Sequence, residues 1–126
     1  MRIIKKDKKI IALIFGDIQK EGTHPLTDKQ YALQILALNH PKGAVLVPHF
    51  HRPLQRRTGR LMESVFVVSG LVQADIYYKK KKMKRVKLSA GRVILMVNGG
   101  IGIKILKNAR MLEFKNGPFI EDKELI

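Results

Sequence analysis

Glycine, proline and asparagine interrupt this chain so often that no apolar run between them is long enough for a major helix. The runs that remain are short and rich in Val, Ile and Leu, residues that suit a pleated strand. They are Lys9 to Phe15, Tyr31 to Leu38, Ala44 to His51, Leu61 to Val68, Leu71 to Tyr78, Lys84 to Leu88, Val93 to Val97, Gly102 to Leu106 and Arg110 to Lys115. They recur about every ten residues, the rhythm of a sandwich or barrel rather than of alternating strands and helices. No stretch sustains the i, i+3, i+4, i+7 spacing of an amphipathic helix. Only a short helical turn at Leu26 to Gln30, opened by Thr27 or Thr23, is expected. The chain is therefore read as one all-β domain over residues 1–126, with 1–30 an N-terminal strand and arm and 120–126 a short tail.

A chain of 126 residues can enclose a real core, burying about two-thirds of its unfolded surface. With 45% hydrophobic residues it is not wholly disordered. The absence of Cys excludes a disulfide scaffold, a thiolate zinc site, an iron–sulfur cluster and a cysteine nucleophile. The apolar run nearest the start, Ile10 to Phe15, is shorter than a signal-peptide core and far shorter than a membrane span. A soluble cytoplasmic protein without a membrane partner is expected.

The formal net charge of +15 favours an anionic partner, but it is unevenly distributed. Met1 to Lys9 carries +4, Arg52 to Arg60 carries +4 and Lys79 to Lys87 carries +7, leaving the rest balanced. The tract Lys79-Lys80-Lys81-Lys82 falls between two candidate strands and reads as a hairpin tip, where like charges spread into solvent. Aromatics make up 6% of the chain and Trp is absent, few for a stacking platform. Nucleic-acid binding is therefore expected to be at most weak, salt-sensitive and sequence-independent. The acidic tail Glu121-Asp122-Lys123-Glu124 either folds back on a basic patch or frays.

His49 and His51 alternate on a candidate strand, which would send both imidazoles to one face. Two such rings can share a divalent metal or act as a base and its neighbour. Glu63 is a scarce acid set among Leu, Met, Val and Phe, where a carboxylate needs a partner against desolvation. A metal, a His or an ion pair with Arg56, Arg57 or Arg60 would serve.

The order Gly43, His49-x-His51, Glu63, Gly70 resembles the first motif of the cupin superfamily, with a longer gap, eleven residues, between His51 and Glu63. The second cupin motif resembles Gly91 to Gly102, with Arg92 where the family carries Asp and Ile101 where it carries His. The ending Glu113-Phe-Lys115-Asn-Gly117-Pro118-Phe119 is similar to that of small cupins of lipopolysaccharide and sugar-nucleotide biosynthesis. The resemblance covers Tyr31 to Lys123 and implies a double-stranded β-helix, or jelly-roll, barrel.

It further implies a metal set of His49, His51 and Glu63, because Ile101 has no lone pair to offer. One divalent ion (Zn, Mn, Fe or Ni) would be held weakly or not at all. His49 and His51 are the catalytic candidates, as bases in a sugar isomerisation. Arg56, Arg57 and Arg60 suit a phosphate or carboxylate, which guanidinium grips bidentately, and Asn98 and Lys115 are secondary binding candidates. The leading expectation is a cupin that binds, or isomerises, an anionic sugar-like metabolite at the barrel mouth. The alternatives are a non-catalytic ligand-binding cupin and, behind it, a basic nucleic-acid-binding protein. Cupins often pair through an N-terminal strand, and Ile10 to Phe15 at a sheet edge would be sticky in a monomer, so a homodimer is expected.

Overall fold

The computed structural model describes residues 1–126. It holds no helix, and 52% of its residues are in strands, so the all-β expectation is met. The strands are β1 (Arg2–Lys6), β2 (Lys9–Phe15), β3 (Gly22–Pro25), β4 (Leu36–Asn39), β5 (Glu63–Tyr78), β6 (Lys81–Ser89), β7 (Val93–Met96) and β8 (Gly100–Lys115). The chain forms two compact units, residues 1–17 with 62–126, and residues 18–61.

In the first unit β5 is the strand on which the sheet is built. One of its edges pairs with β6 along Leu71 to Tyr78 and with β7 along Glu63 to Phe66; the other pairs with β8 along its length. β2 adds to the far side of β7, and β1 closes that end. All pairings are antiparallel.

Connectivity forces this sheet to curl. From Glu63 to Tyr77 a straight strand would extend about 46 Å. Yet Met96 lies beside Glu63 and Gly100 beside Tyr77, and the peptides between Met96 and Gly100 span at most about 15 Å. The two ends of β5 must therefore approach within about 25 Å. The sheet accordingly bends into a half-barrel, helped by register shifts between Val67 and Val72, where β5 is bulged against β8.

The turn that joins the two ends is tightly fastened. The backbone N–H groups of Val97 and Asn98 both donate to the Ile11 carbonyl, at 2.9 and 3.1 Å. The Asn98 side chain donates to the Ile10 carbonyl at 2.7 Å. Gly99 follows with φ +88°, and a Cβ there would collide with the carbonyl oxygen of Tyr77. Only glycine accepts both the left-handed backbone and that approach.

The concave side is the core. Ile14, Val65, Val67, Val72, Ala74, Ile76, Leu88 and Ile94 alternate onto it and are buried. Around β2 and β7 the opposite side is buried too, with Leu13, Ser64 and Leu95 scarcely exposed. That explains why β2 reads as a continuous apolar run rather than an alternating one.

Several expectations need correction. Leu61 to Val68 and Leu71 to Tyr78 are one strand, because Ser69 and Gly70 form a bulge and not a stop. Gly102 to Leu106 and Arg110 to Lys115 likewise merge in β8. β1 was not expected at all, since only Ile3 and Ile4 are apolar in it. Its presence makes β2 an inner strand, which removes the exposed-edge premise for a homodimer. The Lys79 to Lys82 tract does sit at a hairpin tip, with Lys79 and Lys80 at φ 51° and 63°. Two positive φ values suit a two-residue loop between twisted strands.

In the second unit, β3 and β4 form a hairpin, and Tyr31 to Leu38 is strand only from Leu36. At Leu26 to Gln30 the chain makes one hydrogen-bonded turn, the Tyr31 N–H donating to the Asp28 carbonyl at 3.0 Å, and no helix extends it. The Asp28 carboxylate takes the Gln30 N–H at 2.8 Å, and the Gln34 amide donates to the Asp28 and Tyr31 carbonyls, offering the backbone a competing arrangement. Ala44 to His51 is not a strand either. Its Val45 and Val47 are about three-quarters exposed, and no second backbone pairs with it. Apolar, β-branched residues favour a strand only where a partner supplies the other half of the ladder.

Candidate functional site

A cluster of polar side chains lies at the Glu63 end of the concave face. Glu63 stands opposite Lys115, and its neighbour on that face, Val65, stands opposite Glu113. Directly opposed residues share a face, so Glu63, Glu113 and Lys115 converge beside the apolar wall of Val65, Ile94 and Met96. The Lys115 ammonium lies 3.4 Å from a Glu113 oxygen. Beneath the cluster, the Asn116 side chain accepts the Met62 N–H at 2.7 Å and fixes where β8 ends against the start of β5.

Glu63 is half-buried, and desolvation pushes its carboxyl above the usual carboxylate range. A hydrogen bond with Glu113 and the charge of that neighbour push it further up, while Lys115 and Lys123 act against them. The cluster thus sets two carboxyls and one ammonium within a single side-chain reach.

Of the sequence-based candidates, Glu63 and Lys115 come together here. Glu113 joins them and carries the same sequence signal as Glu63, a scarce acid among Met111, Leu112 and Phe114. Asn98 is committed to the turn described above. Ile101, in the slot where a second-motif His would stand, packs against the hydrophobic core.

The second unit carries the remaining candidates. The His49 and His51 rings lie 5.2 Å apart, edge to face at 80°, without the strand that was expected to align them. The His49 Nδ1 is 2.8 Å from the Val47 carbonyl, which can only accept, so that nitrogen donates. Both rings are exposed, as is the neighbouring Phe50. Arg52, Arg56, Arg57 and Arg60 follow on an exposed irregular segment, where Arg56 reaches the Leu54 carbonyl at 3.4 Å.

No group of three or more His, Cys, Asp or Glu side chains stands close enough together to hold a metal ion. The pairs that do form are His49 with His51 and Glu63 with Glu113. No helix is long and apolar enough to cross a membrane. No family model, curated protein or solved structure matches the chain.

Proposed function

We propose that this chain is a small cupin-like protein that takes an anionic, sugar-like metabolite against the concave face of its curled sheet. The observation that carries the reading is the Glu63–Glu113–Lys115 cluster beside an otherwise apolar wall. Small-molecule sites are mostly apolar surfaces with a few converging polar groups. Sugars present hydroxyls that carboxylates accept, and the part-exposed side chains of Glu63, Glu113 and Lys115 stand at the rim of the buried core where a ligand can reach them. Lys115 supplies the charge that a phosphate or carboxylate on the ligand requires.

A carboxyl raised above its ordinary range, as Glu63 is, is also the kind of group that serves as a general acid, and an isomerisation would draw on it. The non-catalytic alternative is favoured by Ile101, which serves the core instead of a polar centre. Ligand binding, with or without turnover, is the function of this face.

Thermal-shift and calorimetric titration against hexose phosphates and nucleotide-linked sugars test this. A stabilising ligand should lose at least tenfold in affinity with Lys115→Met and with Glu63→Gln. Unchanged affinity in both variants, or no binding by any member of the panel at millimolar concentration, would refute it.

A further inference from the structure

The strand pairing gathers cations that the sequence keeps apart. On β5, Val72, Ala74 and Ile76 are buried in the core, so Leu71, Gln73, Asp75 and Tyr77 face the convex side. Their partners on β6 are Ser89, Lys87, Arg85 and Lys82, and on β8 they are Lys107, Lys104, Gly102 and Gly100. Gln73 thus has Lys87 on one side and Lys104 on the other, two strand spacings or about 10 Å apart across the sheet. From Leu71 to Tyr77 the paired rows run about 20 Å along the strand.

The C-terminal tail reaches this end of the sheet, with Ile126 beside Gly100 and Glu124 paired to Lys80 at 2.6 Å, and within the strands the only acid on this face is Asp75. Its side chain is 15% exposed and is held by Arg85 at 2.7 Å and Lys82 at 3.0 Å, which keep it ionised well below the usual carboxylate range. One carboxylate against five cations leaves the face strongly positive. At a loop, lysines move apart and their repulsion dissipates. On a hydrogen-bonded ladder the backbone holds them in place. Any anion over Gln73 sits within about one Debye length, 8–10 Å at ordinary salt, of most of them.

We propose that the convex face of β6, β5 and β8 is a binding track for a single-stranded nucleic acid, read through its phosphates. Charge complementarity selects a polyanion, and the length of the track selects an extended one, because a lone phosphate engages one cation pair and leaves the others unsatisfied. The curvature selects a single strand over a duplex, since a rigid duplex touches a convex surface only along a line while a flexible strand follows it. Tyr77 and Gln73, on the floor between the rows, are placed to meet bases. Binding is sequence-independent and salt-sensitive. This surface is separate from the Glu63 cluster, which faces the other side of the same sheet.

The test is fluorescence anisotropy of a labelled 15-mer oligouridylate with the full chain. With a net of about four cations engaged, affinity should fall about 50-fold between 50 and 200 mM salt. The triple variant Lys87→Glu, Lys104→Glu, Lys107→Glu should lose at least 30-fold. The triple Lys5→Glu, Lys6→Glu, Lys8→Glu, with the same change in net charge, should stay within about threefold. Equal losses in the two triples would show that net charge alone governs binding and overturn the assignment. So would tighter binding of a duplex of the same length, or full displacement of the oligonucleotide by anionic phospholipid vesicles. Should the first triple misfold by thermal melting, lysine acylation of the unmodified chain decides. Oligonucleotide should protect Lys87, Lys104 and Lys107 over Lys5 and Lys6, and uniform protection overturns the proposal.

Discussion

Replacing Gly99 by Ala tests whether the β7–β8 turn is what holds the half-barrel closed. Gly99 and Gly91 share φ +88°, but a Cβ at Gly91 meets nothing within 4 Å while one at Gly99 runs into the Tyr77 carbonyl oxygen. The two substitutions therefore share a backbone cost and differ in the collision. A left-handed residue other than glycine costs about 1–2 kcal/mol, offset by about 0.4–1 kcal/mol because Ala restricts the unfolded chain. Gly91→Ala should thus lose about 1 kcal/mol. At Gly99 the obstacle is the backbone of β5, which has no rotamer to change, so the turn must move. Moving it stretches the bonds from Val97 N, Asn98 N and the Asn98 side chain to β2, each worth about 0.5–1.5 kcal/mol. Gly99→Ala should lose about 3–4 kcal/mol, a large part of the 5–15 kcal/mol typical of a folded chain. Equilibrium urea unfolding of both variants, compared through their midpoints at constant slope, measures the difference. Losses equal to within about 0.5 kcal/mol would refute the view that the close approach, and not the dihedral alone, requires glycine.

Asn98→Ala should cost about 1–2 kcal/mol through the orphaned Ile10 carbonyl. It should leave ligand affinity unchanged; a loss of affinity without loss of stability would return Asn98 to the binding site. Glu63→Gln should alter how stability depends on pH. The Glu63 carboxyl is raised in the folded chain, so the stability it contributes is complete below its unfolded pKa and fades as pH rises through the folded one. The variant lacks that decline, and its stability relative to the parent should grow from pH 4 to pH 7. Parallel melting curves across that range would contradict the upward shift of the Glu63 carboxyl.

Much of the local structure is legible in the sequence. β2, the β5–β6 hairpin and β7 follow from short apolar runs and from the Lys79-Lys80 turn. What is not legible is pairing. Ala44 to His51 has the composition of a strand and is none, because the partner is a property of the fold and not of the segment. Glu63 stood out as a buried acid, but its companions could not be named, since register across β5 and β8 depends on the shifts between Val67 and Val72. The same shifts bring Lys104 and Lys107 into line with Lys87, so counting charge by segment missed the convex face. The His49 and His51 rings stand 5.2 Å apart, but on an irregular segment and not on the strand expected to align them.

The central position of β5 also fixes the order in which the chain can assemble. β1 and β2 form a hairpin at once, but the strand that completes β2 is β7, and Ala12 waits for Met96 about 80 residues downstream. β8, the last strand made, supplies one whole edge of β5. Contacts this distant in sequence fold in milliseconds to seconds and not microseconds. During synthesis the sheet cannot close until the final strand has emerged, and until then the apolar side of β5 faces solvent with only β6 and β7 beside it.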